Sequence, residues 1–225
     1  MPRVLAFDVN ETLLDLSALD GLFEDAFGDA ALRPQWFAQM LQLAFVGAIT
    51  DRYVDFTSAQ RAALAMIAQR RGSDLPETTT AAIVDGMRHL PPHPDVPDAL
   101  RRLAGAGFTL ATITNSPLDV ACDQVRNAGL EEHFTAILSA DEVRALKPRR
   151  EAYALVARTF DVPPAAVRLV AAHAWDVAGA HAAGCAGAFV ARPGMVLSPL
   201  WERPDVVGAD LAEVAERILA LDDPA

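Results

Sequence analysis

The chain has 225 residues, enough for one large domain or for a main domain carrying a smaller insert. Hydrophobic residues make up 52% and charged residues 22%, a globular balance rather than a disordered one. With 19 Lys and Arg against 30 Asp and Glu, the formal net charge of -11 argues against nucleic-acid or anionic-membrane partners. An anionic substrate would need a local positive site.

Cys122 and Cys185 lack CxxC spacing and sit among small or apolar neighbours, so buried free thiols are expected rather than a disulfide or zinc site. No apolar run approaches the roughly 18 residues of a membrane span, and the N-terminus lacks a signal-peptide pattern. A cytoplasmic protein is the expectation.

In chain order, Val4 to Phe7 reads as a short strand buried on both faces, because it is continuously apolar. It delivers Asp8 to the carboxyl end of the strand, where open α/β sheets bind ligands. Leu16 to Phe27, Pro34 to Ile49, Ser58 to Arg71 and Thr80 to Leu90 carry helical patterns, with Gly28 and Gly72 as stops. Nothing from Leu16 to Leu90 reads as a strand, so residues 15–90 form an all-helical insert between core segments 1–14 and 91–225. The prolines of Pro91-Pro-His-Pro-Asp-Val-Pro97 mark a stiff linker.

Beyond the linker, helix and strand alternate. Helices are expected at 98–106, 118–128, 151–160, 177–183 and 211–221. Strands are expected at 108–113, 135–138, 167–171 and 186–191, with a short edge strand at 206–208. Alternation of this kind implies a doubly wound, mainly parallel α/β sheet with helical crossovers.

Three later strand ends should share the edge that carries Asp8. Thr114 and Asn115 end one strand and suit an anionic group together with backbone N–H groups, although Asn115 or Ser116 could equally cap the next helix. Lys147 precedes Pro148, and beside Asp8 its ammonium would depress the carboxylate pKa. With Arg149 and Arg150 following, it also reads as part of a solvated basic turn. His173, Trp175 and Asp176 follow the strand at 167–171, with Asp176 at a helix start, where it reads either as a site carboxylate or as a plain helix cap.

The motif Asp8-x-x-x-Thr12-Leu-x-Asp15, the pair Thr114/Asn115, Lys147-Pro148 and the run Ala174-Trp-Asp-Val-Ala-Gly-Ala180 occur in order at successive strand ends. Together they resemble the haloacid dehalogenase superfamily over essentially the whole chain. Within it the sequence is most similar to the type II (S)-2-haloacid dehalogenases, and Arg52-Tyr-Val-Asp-Phe56 resembles a segment of their helical cap. The resemblance implies a Rossmann-like core, the insert as cap, and a homodimer. It also implies hydrolytic dehalogenation of short 2-haloacids. Asp8 attacks the halogen-bearing carbon, halide leaves, and water then cleaves the aspartyl ester. Thr12 orients Asp8, Lys147 keeps it ionised and compensates charge in the tetrahedral intermediate, and Asp176 positions Lys147 or the water. Thr114 holds the substrate carboxylate and Asn115 faces halide or carboxylate.

Phosphatases of this superfamily carry a general-acid Asp two residues after the nucleophile and a further Asp that binds magnesium. This chain has Asn10 and Ala171 at those positions, and an amide cannot protonate a leaving alcohol. A halide needs neither proton nor metal, so neither metal nor cofactor is expected. The readings left beside dehalogenation are a phosphatase-like hydrolase of a small metabolite and a non-catalytic binder of a small carboxylate. Two departures stand out. Phe37 falls where family members place a cap Arg toward the halide, and His173 falls where they tend to have Asn. His173, Trp175, Phe37 and Asn10 complete the expected substrate contacts.

Overall fold

The computed structural model describes residues 3–222. Its centre is β1 (Val4–Phe7), buried at every position because it runs between two parallel neighbours, β2 (Thr109–Thr114) and β4 (Val167–Ala171). β3 (Ala136–Ser139), β5 (Ala186–Val190) and β6 (Val206–Gly208) extend the sheet to the order β3-β2-β1-β4-β5-β6, with every neighbouring pair parallel. In this Rossmann-like α/β order the winding reverses between β1 and β4, which opens a crevice at their carboxyl ends. Phe7 pairs with both Thr112 and Val170, so Asp8 and the residues after β2 and β4 emerge at one edge.

Between β1 and β2 lie α1 (Asp20–Phe27), α2 (Leu32–Ile49), α3 (Phe56–Arg71) and α4 (Glu77–Gly86), with no strand among them. Gly28 and Gly72 end α1 and α3 in the left-handed region, where a residue without Cβ is least strained. α2 is joined to its neighbours by Trp36, whose indole donates to the Gln60 carbonyl at 3.0 Å and packs on Phe23. No helix among the described residues is long and apolar enough to cross a membrane.

The remaining helices are α5 (Val96–Gly105), α6 (Leu118–Asn127), α7 (Arg150–Thr159), α8 (Ala174–Ala182) and α9 (Leu211–Leu221). α5 packs on α9, and α7 packs on α8. Among these five helices, two starts differ from the sequence expectation by more than one residue. α5 starts at Val96 rather than Asp98, because Pro97 fits the first helical turn, where its missing N–H is no loss. The proline segment is also no free linker. Asp15 N donates to the Pro91 carbonyl and His93 N to the Leu13 carbonyl, each at 2.9 Å, fastening it to the loop after β1. α8 starts three residues early, at Ala174, which places Trp175 and Asp176 inside its first turn. Asp176 is therefore not the cap. That position is held by His173.

Candidate active site

Asp8 leaves β1 into a buried pocket and is 5% exposed. Its two oxygens are held differently. Oδ1 accepts from Lys147 Nζ at 2.8 Å. Oδ2 accepts from the Thr12 hydroxyl at 2.6 Å and lies 3.2 Å from His173 Nδ1. Thr12 is fixed in turn, since its hydroxyl accepts from Ala172 N at 2.9 Å. Its carbonyl accepts from Arg192 Nη2 at 2.9 Å and Nε at 3.2 Å.

Lys147, 1% exposed, bridges two carboxylates, donating to Asp176 Oδ2 at 2.7 Å as well as to Asp8. The basic-turn reading of Lys147 is thereby excluded. Tyr153 donates to Asp176 Oδ1 at 2.6 Å, so Asp176 is committed to holding Lys147 from α8. Burial acts to raise the Asp8 carboxyl, but Lys147 and the His173 hydrogen bond outweigh it and hold Asp8 well below the usual carboxylate range. Burial and the neighbouring Asp8 charge leave Asp176 raised. Desolvation works against the Lys147 charge, yet the two carboxylates prevail and raise its pKa.

His173 has a carboxylate on each ring nitrogen. Nδ1 faces Asp8, and Nε2 lies 2.9 Å from Glu11 Oε2. Ionised carboxylates only accept, whereas a neutral imidazole has one N–H, so this geometry belongs to the imidazolium. Burial opposes that charge, but the hydrogen bonds to Asp8 and Glu11 raise the pKa from 6.5 to about 9. A folded pKa above the unfolded one stabilises fully below pH 6.5, and that contribution is lost as pH rises through about 9. The loss is expected to be roughly 3 kcal/mol from the size of the shift. Urea unfolding at pH 6 and pH 10 measures it, and His173→Asn should remove the difference.

Glu11 reaches this position from a left-handed backbone at φ 62°, a conformation that costs a non-glycine residue on the order of 1 kcal/mol. Arg33 Nη1 lies 3.7 Å from its other oxygen. Nothing in its spacing singled out Glu11, and the same holds for Tyr153 and Arg192. The only local signal for Glu11 was a long acidic residue in the turn after Asp8.

The other anticipated residues meet at the same pocket, which is lined by Asp8, Asn10, Phe37, Thr114, Lys147 and Trp175 among others. Asn115 grips the backbone of Lys147, accepting from its N–H at 2.7 Å and donating to its carbonyl at 3.2 Å. Anchoring Lys147 is thus its first task, which leaves one amide hydrogen for a ligand, and the capping alternative for Asn115 is set aside. Thr114 Oγ1 accepts from Ser116 N at 3.2 Å and keeps its own hydrogen to donate. Asn10 is turned toward the core. Its oxygen accepts from Gln124 Nε2 at 2.8 Å and its amide faces Ser116 Oγ at 3.3 Å, so a direct polar grip on substrate is not its main use.

Phe37 stacks on the His173 ring at 5.7 Å and 17°, and His173 stacks on Trp175 at 5.3 Å. The two departures from the family pattern are therefore in contact. An Arg at position 37 would meet an imidazolium, and a cation at 173 accompanies an aromatic at 37. Phe37→Arg alone is expected to destabilise, and adding His173→Asn to relieve it, with a coupling of about 0.5–3 kcal/mol in a double-mutant cycle. Additive effects would show that the two positions are independent.

The residues present do not fit a divalent cation. A metal shared by Asp8 and Asp176 would have to displace the Lys147 ammonium, which already lies 2.8 and 2.7 Å from them. The Ala171 side chain offers no ligand atom. Among the described residues no cluster of three His, Cys, Asp or Glu could hold a metal.

A Rossmann-like core with an aspartate at the end of its first strand, and Thr, Lys and Asp converging on it from three others, defines the class of aspartate-centred α/β hydrolases. The family model for haloacid dehalogenase-like hydrolases matches residues 2–184, and the chain belongs to that family. It is 30% identical over 214 residues to an (S)-2-haloacid dehalogenase from Pseudomonas sp. (strain YL), spanning 94% of this chain and 92% of that protein. Among solved structures, the L-2-haloacid dehalogenase from Xanthobacter autotrophicus superposes with a TM-score of 0.92 at 29% identity, covering 98% of this chain and 100% of that one. The structure of that enzyme with chloropropionic acid covalently bound also gives 0.92, at 28% identity, with the same coverage.

Proposed function

We propose that the chain is a hydrolytic dehalogenase of short 2-haloacids, working through an ester on Asp8 and releasing halide and a 2-hydroxy acid. The observation that carries this reading is an ionised, buried Asp8 fixed by Thr12 and Lys147 with neither an acid at position 10 nor a metal site beside it. Displacement of halide needs a nucleophile and no proton. The relatives named for haloacid dehalogenation, one of them carrying covalently bound chloropropionic acid, support the same chemistry.

Asp8 attacks the halogen-bearing carbon from the rear, which inverts its configuration. Thr114 donates to the substrate carboxylate, and Lys147 attracts the same anion. Asn115 retains one amide hydrogen, and the Trp175 indole N–H has no acceptor among the described residues, so these are the donors available to halide. Phe37 closes the pocket over His173 in place of a cap arginine. Asp176 acts through Lys147. We assign residues 15–90 to a cap and 1–14 with 91–225 to the core. The family reading also supports a cytoplasmic homodimer without cofactor, nucleic-acid or membrane partner, and sedimentation of the purified chain tests the dimer.

Halide release from chloro-, bromo- and fluoroacetate and from both enantiomers of 2-chloropropionate tests the activity. In a single turnover in heavy-oxygen water, the label should enter Asp8 first. Label appearing only in product would replace the ester with direct water attack. Magnesium-dependent turnover of a phosphate ester, or tight carboxylate binding with no halide from any substrate, would overturn the reading.

A further inference from the structure

We propose that substrate reaches Asp8 through the seam between α2 and the loop that carries Lys147, with Ala48 setting the width of the passage and Arg144 receiving the substrate carboxylate at its mouth. This assignment rests on the dehalogenase reading and deepens it, by giving the same site a route and a size limit. Asp8 is buried, so a passage to it is required. Two crevices open to the surface beside its pocket.

The first is lined by Ala44, Ala48, Tyr53, Val54, Arg144 and Leu146 among others. Its walls are those of the nucleophile pocket, continued outward. Phe37 and Leu41 of α2 line the pocket, and Ala44 and Ala48 follow on the same stripe at helical spacing. Phe56 lines the pocket, while Val54, two residues earlier, lines the crevice. On the core side Lys147 faces the pocket and Leu146 the crevice. Gly47 permits the shared wall. The chain after α2 turns back so that Arg52 N donates to the Gly47 carbonyl at 2.9 Å, and a Cβ at position 47 would lie 2.6 Å from the Arg52 carbonyl oxygen.

The second crevice is lined by Glu11, Asp15, Arg33, His93 and Arg192 among others. Its inner wall is built of charged groups that are already committed. Glu11 lies 2.9 Å from His173, and Arg192 holds Asp95 at 2.7 Å and the Thr12 carbonyl at 2.9 Å. A carboxylate entering there would meet the Glu11 and Asp15 anions and would have to part buried charge pairs. The inner wall of the first crevice is uncharged, made by Ala44, Val54 and Leu146. The route falls to the first.

The charges at its mouth are unequally used. Arg149 Nη1 lies 3.2 Å from Asp51 and 3.2 Å from the Ala48 carbonyl, and its Nη2 lies 3.0 Å from Glu151. Asp141 accepts from the Tyr53 hydroxyl. Arg144 instead lies over the Tyr53 ring, 4.3 Å from its centroid, and makes no ion pair among the described residues. Its N–H donors remain for an incoming carboxylate, which a chain of net charge -11 otherwise repels. Arg144 also stands in the left-handed region at φ 47°, so a strained residue marks the mouth. Because the Arg149 and Tyr53 contacts tie α2 and the segment after it to the core loop, small side chains rather than a swinging helix set the width.

Binding without chemistry tests this, in full-length Asp8→Asn protein mixed with 2-bromopropionate by stopped flow. The bromine quenches indole fluorescence, and Trp175 lines the pocket. Ala48→Phe should slow association and release by the same factor, at least ~10-fold, and leave Kd unchanged, since a narrowed passage raises a barrier and not the end states. The slowing should grow from bromoacetate to 2-bromobutyrate. Arg144→Gln should slow association and flatten its decline with added salt. Thermal melting checks the fold, and Ala48→Leu, which suits a helix, replaces Ala48→Phe if that variant does not fold. Unchanged rates in a folded Ala48 variant, or weaker binding with association untouched, overturn the proposal and leave dehalogenation standing. Wild-type protein that releases no halide from any haloacid overturns the functional reading itself, and this proposal with it.

Discussion

Asp8→Asn should abolish halide release while leaving the protein folded. Loss of a covalent nucleophile typically removes on the order of 10⁶-fold in turnover, below detection in a halide assay. The amide is isosteric, its one oxygen can still accept from Lys147, and the Thr12 hydroxyl can turn to accept from the amide N–H, so the pocket geometry survives. Its electron pair is delocalised and unavailable for displacement. The fold should tolerate the change because Lys147 keeps Asp176 as a partner at 2.7 Å, and His173 keeps Glu11 at 2.9 Å. Thermal melting beside the halide assay separates lost chemistry from lost structure. Halide release at more than a hundredth of the wild-type rate by a folded Asp8→Asn protein would remove Asp8 as the nucleophile.

Lys147→Met should damage both stability and activity. The ammonium is 1% exposed and is the charge partner of two buried carboxylates. Breaking such a bridge from one side leaves uncompensated buried charge and costs about 3–5 kcal/mol. In a protein of this size that lowers Tm by on the order of 10 °C. The loss should depend on pH with a definite sign. In the wild type the Asp8 pKa is depressed in the folded state, so its contribution is present above the ordinary 3.8 and fades as pH falls below it. Without Lys147, Asp176, already raised by burial, rises further, and Asp8 rises with it. Carboxyls raised on folding destabilise at high pH and are relieved by protonation. The variant should therefore be closest to wild type near pH 4 and furthest from it near pH 8. Turnover should fall at least ~10²–10³-fold, the scale of one lost charge-stabilising donor. A variant equally destabilised at both pH values would show that Lys147 serves packing alone.

The strands and most of the site could be read from the chain because each is a local signal. Val4–Phe7 is apolar throughout, as a strand buried on both faces must be, and Asp8 ends it. The beginnings of α5 and α8 were misplaced because Pro97 and the alanine-rich run at 171–174 suit either a loop or a first helical turn. Tertiary context selects between them.

Sequence alone determined the sheet, the helical insert and the roster Asp8, Thr12, Thr114, Asn115, Lys147 and Asp176, since all rest on residue type and order along the chain. Only the tertiary structure decided what those groups do to one another. It set Lys147 between two carboxylates, turned Asn115 onto the Lys147 backbone and Asn10 onto Gln124, and brought Glu11 round to His173. It also laid Phe37 on His173, so that two separate departures from the family pattern became one contact. The physical reason is distance. The charge state of a buried group is set by neighbours within a few ångströms, and the partners of His173 lie 162 and 165 residues away in the chain.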